Sequence, residues 1–169
     1  MYLTDVVTLP RFCFGRGVYK RFPELCGDLG ARFALVGGRT AMEKGLPALK
    51  AGLESSAMQM LCALPFGGAC TQAAMDRLSD EIAPMQPDFL VGMGGGKAID
   101  TCKVLAHETN RPFFTFPTIA STCASCTSLG IVYHPDGSLR EYSFSKIPPN
   151  HIFINTEIIA NAPARYLWA

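Results

Sequence analysis

Apolar residues in this chain fall in short unbroken runs, separated by stretches where they recur every three or four positions. Phe33 to Val36, Ala57 to Leu64, Phe89 to Val91 and Phe113 to Phe116 are the runs. Each reads as a buried strand, because a strand covered on both faces shows no polar alternation. Between them, Ala41 to Leu53, the stretch through Ala74, Leu78 and Ile82, and the one carrying Ala98, Ile99, Cys102 and Ala106 have helical spacing. In the last, Asp100 and Lys103 fall on the opposite, polar side. Thr40 and Thr71 stand where N-caps are expected, and Pro84 and Pro87 stop the second helix. Strands alternating with helices of about ten residues from Phe33 to Phe116 predict an α/β fold, a Rossmann-like parallel sheet flanked by helices.

The flanks are less regular. Val6 to Leu9 and Phe12 to Phe14 read as short strands broken by Pro10, and Gly15-Arg16-Gly17 opens a helical stretch to about Leu25, ended by Gly27 and Gly30. After Thr118 comes a small, hydroxyl-rich segment to Ser128. Leu129 to His134 and Leu139 to Ser145 then predict a β-hairpin across His134-Pro135-Asp136-Gly137. Ile152 to Asn155 is a further short run before a helix start at Thr156-Glu157, and Pro163 to Trp168 reads as the opening of another helix. We find no internal repeat and no low-complexity linker.

The third run leads into Gly92-Met93-Gly94-Gly95-Gly96-Lys97 and then a helix. That order builds an anion site: glycines let backbone approach a phosphate, and the first N–H groups of a helix lack internal partners. It is not a P-loop, since Val91 stands where the first glycine belongs and Ala98 replaces the metal-binding hydroxyl. Nor is it the usual Rossmann fingerprint, since Lys97 occupies the place of the third glycine. We read it as a loop for the pyrophosphate of a dinucleotide.

Composition narrows the classes. With 169 residues, net charge +1 and 17% charged residues, there is chain for a core but no basic footprint for nucleic acid. No run reaches the roughly 18 apolar residues of a membrane span, and the N-terminus shows no continuous apolar segment of a signal peptide. Seven cysteines without a framework point to reduced thiols and a cytoplasmic setting. The mean hydropathy of +0.19 suggests that part of the surface packs on something else. Cys123 and Cys126 form a CxxC, but no second pair completes a zinc site. His107, His134 and His151 show no ligand spacing. His107 reads as a surface residue, and Lys103 as either a motif residue or a solvated helix lysine.

Gly92-Met93-Gly94-Gly95-Gly96-Lys97 with Asp100 and Lys103, Pro117-Thr118-Ile119-Ala120-Ser121-Thr122, Leu129 to Tyr133, and Asn161-Ala162-Pro163-Ala164-Arg165 together resemble the iron-containing alcohol dehydrogenase superfamily. The glycerol dehydrogenase and hydroxycarboxylate dehydrogenase groups are most similar. The resemblance implies a dehydroquinate synthase-like N-terminal domain with an added β-hairpin, at residues 1–162, and the start of a helical metal-binding domain at 163–169. It also implies NAD or NADP as cofactor, a small polyol, alcohol or 2-hydroxy acid as substrate, and reversible hydride transfer. Family members bind zinc or iron through an aspartate and two histidines beyond the equivalent of Ala169. The expectation is therefore a cofactor domain alone, inactive by itself and prone to homo-oligomerise through apolar surface near Leu167 and Trp168. Alternative readings are a non-catalytic dinucleotide-binding module, or an enzyme like sn-glycerol-1-phosphate dehydrogenase or dehydroquinate synthase.

By the same resemblance, Gly94, Gly95, Gly96 and Lys97 would hold the pyrophosphate, with Asp100 one turn into the helix. Thr118 and Ser121 would touch the adenine or ribose portion, and Thr127, Leu129 and Tyr133 would line the nicotinamide pocket. Two departures bear on specificity. Glycerol dehydrogenases carry an aspartate where this chain has Cys123, next to the substrate; losing that carboxylate favours an anionic substrate such as a 2-oxo acid. Many members carry an aspartate after the strand ending at Val36, where this chain has Gly38 and Arg39. Arg39 suits a 2′-phosphate, so NADP(H) is expected to be accepted.

Overall fold

The computed structural model describes residues 10–166. The predicted strand at 6–9 and the apolar surface at 167–168 lie outside them. Six strands form one sheet: β1 (Arg11–Gly15), β2 (Arg32–Gly37), β3 (Gln59–Pro65), β4 (Phe89–Gly94), β5 (Phe113–Pro117) and, late in the chain, β8 (His151–Asn155). Their order is β1-β8-β5-β4-β2-β3, and every pairing is parallel. The antiparallel hairpin β6 (Leu129–Tyr133) and β7 (Leu139–Phe144) forms a separate two-stranded sheet. The α/β expectation and the added hairpin both hold.

Alternate residues along the buried strands serve two cores. Phe33, Leu35, Phe89, Val91 and Phe114 pack with α1 (Phe22–Cys26) and α2 (Arg39–Leu53). Ala34, Val36, Leu90 and Phe113 pack with α3 (Gln72–Ile82) and α4 (Gly96–Glu108). Phe22 is the hub of the first core. Its ring lies 5.0–6.0 Å from those of Phe33, Phe89, Phe114, Phe116 and Phe153, mostly edge to face. Such pairs add to what area burial alone contributes.

The order of strands fixes where a ligand can sit. From β2 the chain passes through α2 to β3 at one edge. It then crosses back through α3 to β4, on the other side of β2. Right-handed crossovers in opposite directions put α2 and α3 on opposite faces. The carboxyl ends of β2 and β4 therefore flank the point where progression reverses, which is where such sheets bind ligands.

Four expectations need correction. The second helix begins at Arg39 rather than Ala41, with Gly38 rather than Thr40 at its N-cap. Gly38 donates its N–H to Met93 O, and its carbonyl already accepts from Met42, so no residue is left over for a capping loop. The stretch to Leu25 is a 3-10 turn, Val18–Arg21, running into α1, because Pro23 cannot donate to a continuous ladder. The run at Ile152 to Asn155 is not peripheral: β8 lies between β5 and β1. Lys103 is not solvated but buried. α5 (Thr156–Ala160) follows β8 directly, and Asn155 caps it by accepting from Glu157 and Ile158.

Candidate functional site

β4 ends and α4 begins within two residues. Gly94 has φ 147°, a backbone that residues with a Cβ rarely adopt. Gly95 is the N-cap in extended conformation, and no side chain caps the helix. The first helical bond runs from Ile99 N–H to Gly95 O. The N–H groups ahead of it open toward the end of the sheet, where an anion would be held by backbone and helix dipole together. Lys97, in the first turn, is exposed, with its Nζ 5.6 Å from the centre of the Tyr133 ring.

The glycines have a second reason besides phosphate approach. A Cβ on Gly95 would come within 2.6 Å of Ile119 Cδ1, and one on Gly96 within 3.1 Å of Thr122 Cγ2. The hydroxyl-rich segment thus folds down onto the glycine turn. Thr118 is buried and donates its N–H to Gly94 O at 3.2 Å. Thr122 Oγ1 accepts from Ala124 N–H at 2.8 Å, capping a 3-10 turn at Cys123–Ser125. Thr115, from β5, donates its hydroxyl to Ser125 O. β6 then runs back along α4 and brings Tyr133 to Lys97. The fold thus brings Gly94, Gly95, Gly96, Lys97, Leu129 and Tyr133 along α4, with Thr118, Ser121 and Thr127 on the segment that joins β5 to β6. Cys123 is exposed on the same segment.

Gly38 and Arg39 sit at the neighbouring strand end, joined to this group by the Gly38 to Met93 hydrogen bond. Exposed Arg39 borders a cleft of ≈ 560 Å³ shared with Pro65, Phe66, Gly67, Gly68 and Arg77. Arg77 escaped the sequence reading. Its Nη2 donates to Pro65 O at 2.7 Å and its Nη1 to Glu81 at 2.6 Å. An Arg four residues before a Glu on a helix reads as an ordinary surface pair, so only the position of α3 in space reveals that it borders the cleft.

Asp100 lies one turn below the glycine loop but turns away from its mouth. It is buried, with its carboxylate 3.3 Å from Lys103 Nζ. Burial raises the Asp100 carboxyl above its usual value, opposed by the Lys103 charge and by the Ile131 N–H. Burial lowers the Lys103 amine, opposed in turn by Asp100. Cys102 and Ala106 pack in the core as expected, and His107 is exposed. His151 is buried against Phe153, and burial lowers its pKa. Among the described residues no three His, Cys, Asp or Glu side chains converge to hold a metal, and no helix is long and apolar enough to cross a membrane. The described side chains therefore do not by themselves assemble a metal centre.

Known proteins share this fold and part of its sequence. The family model of iron-containing alcohol dehydrogenases matches residues 10–156. A glycerol dehydrogenase of Escherichia coli O6:H1 is 34% identical over 159 residues, covering 94% of this chain and 43% of the relative. Hydroxycarboxylate dehydrogenase A of Escherichia coli K12 is 36% identical over 104 residues, 62% of this chain and 28% of the relative. The crystal structure of glycerol dehydrogenase from Schizosaccharomyces pombe superposes with a TM-score of 0.84 at 30% identity, covering 97% of this chain and 42% of that one. The chain spans less than half the length of the curated relatives it matches.

Proposed function

The chain belongs to the iron-containing alcohol dehydrogenase family, and on that premise we propose that it binds a nicotinamide dinucleotide for a dehydrogenase acting on a small hydroxylated substrate. The observation that carries this is the uncapped N-terminus of α4 behind Gly94 and Gly95, at the point where strand progression reverses. In this reading residues 1–162 are the dinucleotide-binding unit and 163–169 lead into a helical one.

The backbone N–H groups of Gly95, Gly96 and Lys97 hold the pyrophosphate, and the Lys97 ammonium adds a mobile charge. Thr118 and Ser121 flank the adenosine end. Gly38 leaves room at the ribose, and Arg39 pairs with a 2′-phosphate, so NADP(H) is accepted. Thr127, Leu129 and Tyr133 form the nicotinamide wall, and Cys123 stands nearest the substrate. The bound dinucleotide supplies or accepts the hydride. A cysteine in place of an aspartate removes a carboxylate that would repel an anionic substrate, which supports a 2-hydroxy acid over a polyol. A zinc or iron centre, expected for the family, is not assembled by the described residues. All seven cysteines are free, which supports a reducing, cytoplasmic compartment. Phe12 and Phe14, 62% and 69% exposed on edge strand β1, support self-association.

Calorimetric titration with NADPH and with NADH tests the reading. We expect saturable binding that Gly95→Asp abolishes. Because a side chain at Gly95 also presses on Ile119, Lys97→Ala is run beside it; it leaves the backbone untouched and should weaken binding about tenfold. A folded wild-type chain that binds neither dinucleotide refutes the assignment.

A further inference from the structure

Lys103 is the only buried lysine among the described residues, 2% exposed. An ammonium has three donors, and three acceptors surround this one: Leu129 O at 2.6 Å, Ala124 O at 2.7 Å and Asp100 Oδ1 at 3.3 Å. The two carbonyls lie at either end of the short segment from Ala124 to Leu129. That segment contains Thr127 and follows Cys123 directly.

Burying a charged pair rarely stabilises a fold more than apolar side chains of the same volume would. An apolar side chain could fill this space, but it could not hold two backbone carbonyls five residues apart at fixed points on a helix. Of the remaining bonds on the segment, Ala124 N–H to Thr122 and Cys126 to Cys123 are local to the turn, and only single ones tie it to other elements, Thr115 to Ser125 and Ser145 N–H to Ser128 O. The glycine turn is bonded separately, through Thr118 and Gly94. Lys103 therefore governs one end of the candidate site and not the other.

We propose that Lys103 is a positioning residue. Held by Asp100, it clamps the Ala124 and Leu129 carbonyls and so sets the Cys123 to Leu129 wall against the nicotinamide end of the dinucleotide, leaving the pyrophosphate end independent of it. This rests on the dinucleotide reading above.

The test compares two ligands. One is whichever reduced dinucleotide the wild-type chain binds more tightly. The other is the same molecule without its nicotinamide end, ADP-ribose or 2′-phospho-ADP-ribose. Lys103→Met should weaken the dinucleotide about tenfold, the scale of lost hydrogen bonds to a charged donor, and the truncated ligand less than about twofold. Lys103→Gln keeps a neutral donor and should fall between. Equal losses on both ligands mean general damage and overturn the proposal, as does no loss on either. Should the Met variant fail to fold, the Gln variant decides by the same ratio. A folded wild type that binds neither ligand overturns the dinucleotide reading itself, and this proposal with it.

Discussion

The two faces of the sheet are both buried, but different forces hold them. Beneath α1 and α2, Phe22 gathers five other phenylalanine rings, and the polar groups beside them, the Tyr19 hydroxyl and His151 Nε2, are buried without a hydrogen-bond partner. Beneath α4 and along its flank, Asp100, Thr101, Lys103, Thr115 and Thr118 are buried with hydrogen bonds that name particular partners. Apolar contact is non-directional and tolerates repacking, whereas a buried ammonium with three acceptors accepts one geometry. The aromatic face is where stability should reside, and the polar seam is where position should.

The largest effect should come from the aromatic face. Phe22→Ala should cost about 3–5 kcal/mol, read as a lowered urea midpoint at unchanged slope. A loss below about 1 kcal/mol would break the contrast. Next, Lys103→Met should cost about 3 kcal/mol at neutral pH, because it strands a buried carboxylate. That cost has a pH signature. Without the cation, burial raises the folded-state value of Asp100 further above its usual 3.8, so the folded chain binds the proton more tightly than the unfolded one. Stability is then kept in acid and falls as pH rises through the window between the two values. Equilibrium unfolding of the variant across that range should show the fall.

A smaller effect sharpens the distinction. Asp100→Leu combined with Lys103→Met should cost less than Lys103→Met alone, since the charges leave together and only the Ala124 and Leu129 carbonyls lose a donor. If position rather than stability is what the pair provides, this milder variant should still bind the truncated ligand better than the dinucleotide relative to wild type. The smallest effect belongs to an exposed carboxylate outside both regions. Asp88 accepts from the Ala31 and Arg32 N–H groups at 2.9 and 2.8 Å, and these bonds hold its carboxyl below 3.8. Its contribution is present above that value and disappears as pH falls through the lower folded value. Asp88→Asn should lower stability slightly at pH 7 and flatten its further fall in acid, where wild type loses the same contribution.

The same contrast explains how much was legible beforehand. Runs such as Phe89 to Val91 announce buried strands because apolar burial is written residue by residue. Glycines ahead of a helix announce an anion site because only their backbone permits it. The positions of Gly38 and Arg39 followed from the strand before them. By contrast, Lys103 and Asp100 are three apart on a helix, the spacing of an ordinary solvated pair. Only the hydroxyl-rich segment and β6, folded over them from 21 and 26 residues beyond Lys103, turn the pair inward. Arg77 was missed for a like reason, since the cleft it borders is made by the end of a different element. The place of β8 could not be read either, because a five-residue run does not say which strands it joins.

That place of β8 bears on how the chain assembles. β1 comes early in the chain, yet among the described residues its one partner strand is β8, and Cys13 meets Ile152 across 139 residues. Strands β2 to β5 can zip together through local crossovers, but β1 must wait for one of the last. Contacts this distant in sequence slow folding. On a ribosome, Phe12 and Phe14 would emerge early and stay unpaired until β8 follows. A chain released before His151 would keep its glycine loop but leave β5, with Phe114 and Phe116, as an open edge for other chains to find.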